Sequence, residues 1–131
     1  MNVGVIGQGF VGSAIREGLR KFHNIKAYDL DPNKCWNITD TSSVDEVVWH
    51  SDIIFVCVPT PMRRDGSCDT RIIKSALDNA YESLKKQSPK PRHSDFLNMQ
   101  KNKKTFVIKS TVPPGTTDRL ASNYPRINLC F

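Results

Sequence analysis

Asn2 to Phe22, "NVGVIGQGFVGSAIREGLRKF", is the stretch whose reading decides the fold. "NVGVIG" is a short β-branched run closed by glycine, and Val11, Ala14, Ile15, Leu19 and Phe22 then recur at helical spacing. Strand, tight turn and helix therefore follow directly on one another. The turn carries Gly7, Gly9 and Gly12 in the spacing GxGxxG. Alone that spacing is a weak signal, but between a strand and an amphipathic helix each glycine has a task. Gly7 permits the tight turn, Gly9 lets the backbone approach a pyrophosphate, and Gly12 allows the helix to pack close on the strand. The helix start adds unpaired N–H groups and a partial positive charge, so the amides of Phe10 and Val11 are the expected phosphate donors.

Working outward, "IKAYDL" reads as a second strand ending in acid, and Pro32 suits the first turn of a short helix. Asp29 stands 22 residues after Gly7, where a carboxylate accepts hydrogen bonds from the adenosine ribose hydroxyls. It would repel a 2′-phosphate, and no arginine follows it directly, which favours NAD over NADP. Asp31, beside Pro32, is assigned instead to capping the next helix.

Further along, "SSVDEVVWH" offers a serine cap and an acidic first turn, and "SDIIFVCV" is the apolar run of a strand covered on both faces. Asp69 can cap a helix whose apolar stripe is Ile73, Ala76, Leu77, Ala80 and Leu84. "TFVIKS" and "RINLCF" are further strands, with Thr116 or Thr117 able to cap the helix between them. The alternation predicts an α/β domain, a doubly wound parallel sheet of the Rossmann NAD-binding type with about six strands and helices on both faces. Its ligand belongs at the C-terminal ends of the strands.

Composition agrees with this class. The 131 residues are 38% hydrophobic and 24% charged, as in a soluble globular protein, and no apolar run approaches the roughly 20 residues that cross a bilayer. "MNVGVIGQGF" lacks the basic region of a signal or transit peptide, so a cytoplasmic location and no membrane partner are expected. Cys35, Cys57, Cys68 and Cys130 form no CxxC pair, so no metal site is expected; Cys57 and Cys130 read as core. The net charge of +6 is concentrated in Lys85, Lys86, Lys90, Arg92, Lys101, Lys103 and Lys104. With Phe96 the one aromatic residue among them, residues 87–104 read as an inserted polar loop in preference to a nucleic-acid face.

"VPTP" and "KSTVPPGTT" end the two central strands on the ligand side of the sheet. Pro59 and its neighbours stop the strands, while Thr60, Ser110 and Thr111 bring hydroxyls near the place of the nicotinamide half; a plain turn with satisfied hydroxyls reads equally well.

"GQGFVG", "YDLDPNK", "FVCVPTPMRRDGSCD" and "IKSTVPPGTTDRL", in this order, resemble the N-terminal NAD-binding domain of the UDP-glucose/GDP-mannose dehydrogenase family. The resemblance covers nearly the whole chain, and its last two motifs are far more specific than the glycine fingerprint. It implies that Asp29 and Lys34 hold the adenosine ribose, that Phe10 and Val11 lie along the pyrophosphate, and that Thr60 and Thr111 approach the nicotinamide. Thr111 would also assist chemistry by hydrogen bonding near the substrate carbon or its water.

Such enzymes oxidise the C6 alcohol of a sugar nucleotide to a carboxylate in two NAD-dependent steps, through a thioester on a cysteine in the family's second half. Cys68 matches a variant of the family's "DGS" turn, not that nucleophile. The expectation is one NAD-binding domain over residues 1–131, without a substrate-binding domain, that binds NAD without turnover. Two other readings are a 6-phosphogluconate-type β-hydroxyacid dehydrogenase domain and a stand-alone dinucleotide sensor. "RINLCF" as an edge strand further predicts a tendency to form homo-oligomers through that edge.

Overall fold

Residues 1–35, 40–41, 43–87 and 103–131 are described by the computed structural model of the chain, and five strands among them form one parallel sheet. The strands are β1 (Asn2–Ile6), β2 (Asn24–Tyr28), β3 (Ile53–Val56), β4 (Lys104–Ile108) and β5 (Ile127–Cys130), in the order β2-β1-β3-β4-β5. This is close to the about six expected. Val3 pairs with Ile25 on one side and Ile53 on the other, so the winding reverses at β1. A crevice opens at such a reversal, above the C-terminal ends of β1 and β3.

Among the described residues, four α-helices and one 3-10 turn connect the strands: α1 (Phe10–Leu19), the turn Pro32–Lys34, α2 (Val44–His50), α3 (Arg71–Gln87) and α4 (Thr116–Ala121). Right-handed crossovers place α1 on one face and the other three on the opposite face. The second face holds the larger core, with Ile6, Ile54, Val56, Phe106 and Ile108 against Val47, Val48, Ile73, Leu77, Ala80 and Leu120. The stripe expected on α3 is the one buried, with Ala76 at its margin and Tyr81 and Ser83 added. Tyr81 meets Tyr124 edge to face at 5.3 Å, and the Tyr124 hydroxyl donates to Asp78 at 2.8 Å. On the first face Val3, Val5, Ile25 and Ala27 lie under Ile15 and Leu19 of α1. Among the described residues no helix is long and apolar enough to cross a membrane.

Most expected caps are present. The Ser43 side chain accepts from the Asp45 amide, Asp31 from Asn33, and Asp69 from Arg71. At α4 neither Thr116 nor Thr117 caps: the N-cap is Gly115, at φ +78°, and Thr116 lies buried inside the first turn. A left-handed cap residue suits glycine, which has no Cβ to strain.

The stripe on α1 differs from the expected one. Its sheet-facing positions are Gly12, Ile15, Arg16 and Leu19, while Val11 is half exposed, Ala14 exposed and Phe22 78% exposed. A pattern that counts only apolar side chains cannot register a glycine packed on the strand or an arginine buried in the seam. Cys130 is exposed, not core, because its strand parity turns it to the face opposite Ile127 and Leu129. Phe131 is likewise exposed beside the edge strand β5. Gln87 ends α3 and Lys104 begins β4, which shortens the expected 87–104 loop at both ends; residues 88–102 lie outside the described residues.

Candidate functional site

The loop from Gly7 to Gly12 closes the C-terminal end of β1. Gly7 has φ +94°, and a Cβ there would meet the Cys57 carbonyl oxygen at 2.7 Å. A Cβ on Gly12 would stand 1.8 Å from the Gly7 carbonyl oxygen. The chain itself demands glycine at both positions. At Gly9 a Cβ would meet nothing within 4 Å. The protein leaves open space there, a cradle that a side chain would partly fill.

The start of α1 faces this cradle. Gly9 is its N-cap, no side chain caps it, and its first turn holds no acid. Backbone bonding within the helix begins with the Ser13 amide on the Gly9 carbonyl, at 2.9 Å. The amides of Phe10 and Val11 precede that bond and lie at the positive end of the helix. The Phe10 side chain is fully exposed.

Beside the loop lies a cavity of about 290 Å³ lined by Tyr28, Asp29, Leu30, Pro32, Cys35, Asp40 and Thr41. The Asp29 carboxylate is fixed at its edge by the amides of Gln8, at 2.6 Å, and Asp31, at 2.9 Å. Two backbone donors leave lone pairs on both oxygens for hydroxyl groups of a ligand. Lys34 ends the 3-10 turn, exposed and outside the cavity lining.

Pro59, Thr60, Ser110 and Thr111 lie across the crevice, after β3 and β4. The Ser110 hydroxyl is buried and donates to the Val58 carbonyl, joining the two loops. Pro59 and Thr111 are exposed and Thr60 half-buried. The Cys68 thiol meets the Thr111 carbonyl at 3.6 Å. Below it, Arg71 and Arg63 grip Asp69, and the Arg71 guanidinium holds that carboxyl well below the usual carboxylate range. Burial pushes the Cys57 thiol up to about 11, which leaves it protonated and a poor nucleophile near neutrality. Among the described residues no cluster of His, Cys, Asp or Glu suits a metal ion.

The fold thus brings Gly7, Gly9, Phe10, Val11, Gly12 and Asp29 to one end of the crevice. An anion-binding helix end beside a carboxylate-edged cavity can hold a dinucleotide, with pyrophosphate at the loop and ribose at Asp29. Gln8, Cys35, Asp40 and Thr41 belong to this end as well. Nothing in their local spacing marks them, since their contacts join segments far apart along the chain.

The family model described as "UDP-glucose/GDP-mannose dehydrogenase family, NAD binding domain" matches residues 30–127. An uncharacterised protein of Methanocaldococcus jannaschii is 32% identical over 145 aligned residues, covering 92% of this chain and 14% of that protein. The UDP-glucose 6-dehydrogenase of Rickettsia conorii is 26% identical, with 92% of this chain and 30% of that enzyme covered. The chain thus spans less than a third of either relative. A crystal structure of a ternary complex of GDP-mannose dehydrogenase from Pseudomonas aeruginosa superposes with a TM-score of 0.78 at 18% identity, over 98% of this chain and 35% of that one. That likeness shows the fold.

Proposed function

The chain belongs to the UDP-glucose/GDP-mannose dehydrogenase family, as a domain whose cofactor is NAD, and we propose that it is the cofactor half of a nucleotide-sugar 6-dehydrogenase. In this reading the complete enzyme oxidises the C6 alcohol of a nucleotide sugar to a carboxylate. Residues 1–131 form the NAD-binding domain and bind NAD without turnover, because the nucleophilic cysteine and the substrate-binding domain belong to the part of the resembled enzymes that these residues do not match.

One observation carries the reading: the open cradle over Gly9, set between an uncapped helix end and the Asp29 cavity. The amides of Phe10 and Val11 receive the pyrophosphate, Gly9 keeps the approach clear, and Gly12 lets α1 close on the Gly7 carbonyl. Asp29 accepts the ribose hydroxyls and repels a 2′-phosphate; Lys34 reaches the same ribose from the 3-10 turn. Pro59, Thr60 and Thr111 border the nicotinamide, while Ser110 holds their two loops together. Bound NAD supplies a hydride acceptor. The exposed Thr111 hydroxyl is an auxiliary group that hydrogen-bonds near the substrate carbon or its water. Self-association through β5 accompanies this role.

Titration of the chain with NAD and NADP, followed by fluorescence or calorimetry, tests the assignment. Saturable NAD binding, at least tenfold tighter than NADP and insensitive to salt, is the expected result. Oxidation of a nucleotide sugar by this chain alone at the rate of a complete enzyme, or no saturable NAD binding, would overturn it.

A further inference from the structure

Arg16 occupies a position in the buried stripe of α1 where an apolar residue would satisfy the packing. Its side chain is 4% exposed, and that of its partner Asp40 is 1% exposed. Its Nη1 donates to both Asp40 carboxylate oxygens at 3.1 Å and also to the Gln8 side-chain oxygen; its Nη2 reaches Glu17 at 3.4 Å. Gln8 passes the connection on. Its Nε2 lies 3.7 Å from the Cys35 sulfur, and its backbone amide donates to the Asp29 carboxylate. The Cys35 sulfur in turn accepts from the Asp29 amide at 3.3 Å. One guanidinium therefore connects the glycine loop to Asp29, Cys35 and Asp40, three of the residues that line the adenosine-side cavity.

The far wall of that cavity needs such an anchor. Asp40 and Thr41 stand outside any strand or helix, joined to β2 by an isolated bridge between Asp40 and Ala27 and by the Thr41 amide on the Ala27 carbonyl at 2.9 Å. Buried ion pairs in general contribute little net stability compared with apolar side chains of the same volume. What a rigid, multiply bonded guanidinium supplies is geometry.

We propose that Arg16 is the positioning residue of the adenosine-side cavity, setting the glycine loop and the Asp40 wall at the separation that the adenosine half of the cofactor requires. The inference rests on the NAD-binding reading above. Arg16 does not touch the ligand; it acts through Gln8 and Asp40. The cavity is then shaped before the cofactor arrives, which lowers the ordering cost of binding.

The test uses ADP-ribose, which carries the adenosine half without nicotinamide, and the 131-residue chain as it stands. The double variant Arg16→Met/Asp40→Asn removes both charges and leaves neither unpaired. It is expected to bind ADP-ribose about tenfold more weakly at a temperature where circular dichroism shows it fully folded. Gln8→Met keeps the ion pair and cuts its link to the loop together with the Nε2 contact to Cys35; its affinity is expected to fall about threefold with an unchanged melting temperature. A merely structural role would lower the melting temperature of the double variant and leave the affinity of the folded protein alone. If both variants, folded, bind ADP-ribose within twofold of the unaltered chain, the inference is overturned. Should the double variant not fold, Gln8→Met decides alone. Failure of the unaltered chain to bind ADP-ribose would remove the NAD reading and this inference together, whereas unaltered binding with unaffected variants removes only the inference.

Discussion

The two ends of the crevice are made differently. At the glycine-loop end Gln8, Arg16, Asp29, Cys35 and Asp40 form one hydrogen-bonded set around a cavity of about 290 Å³. At the other end, after β3 and β4, Pro59 and Thr111 stand exposed, and the Ser110 hydroxyl is bonded to a carbonyl. The first end is a finished set of bonded groups, and the second is an exposed ledge. In the proposed reading, holding a dinucleotide by its adenosine half calls for fixed polar groups, which the first end supplies. Reacting at the other half needs a substrate surface facing the ledge.

Gly12 packs against the Gly7 carbonyl and the Cys57 side chain, so the largest expected effect is there. Gly12→Ala drives a Cβ into the Gly7 carbonyl and should cost at least ~3 kcal/mol in urea unfolding; a variant as stable as the original would show that the loop can shift freely. Asp29→Ala removes a charged acceptor from the finished end and should weaken NAD about a hundredfold, or ~2.7 kcal/mol. An equal loss from Thr111→Val would erase the contrast between the ends. Gly9→Ala is expected to leave the melting temperature nearly unchanged, its Cβ having no protein atom within 4 Å, while weakening NAD about tenfold. If stability fell and affinity held, the cradle would be a structural feature.

Ser110→Ala should cost ~1 kcal/mol of stability through the lost bond to Val58, with NAD affinity within about twofold. The smallest effect concerns Cys57, whose thiol is raised from 9.0 to about 11 by burial. Alkylation of this cysteine should be slow at pH 8 and accelerate as pH rises toward 11. Because the folded state favours the protonated thiol, its linked stability is full below pH 9 and is lost as pH rises through about 11. Rapid alkylation at neutral pH would mean that the ledge carries an activated nucleophile after all.

Strands, the glycine loop and the carboxylate at the end of β2 were legible because each is marked by near neighbours. β-branched runs, GxGxxG and the 22-residue interval to Asp29 all lie within one βαβ unit. Of the α1 stripe Ile15 and Leu19 are legible, whereas Arg16 reads as a solvated residue until Asp40 is brought to it. Cys130 looked apolar and buried, but its strand parity exposes it. Thr116 had the chemistry of a cap and lost the place to a glycine that could take the left-handed turn.

From its order of residues alone this chain determines a winding parallel sheet, the glycine loop at one end of it and the kind of cofactor, because hydrogen bonds between near neighbours and the hand of the crossover do not wait for packing. Tertiary structure alone decided that the polar groups of one end are bonded into a single set while Pro59 and Thr111 at the other stand exposed. Gln8, Arg16, Cys35 and Asp40 are up to 27 residues apart along their bonds, and they acquire partners only when β1 and β2 align under α1. A cavity wall is a long-range arrangement, and the free energy that holds it is spread over contacts that no short stretch of sequence contains.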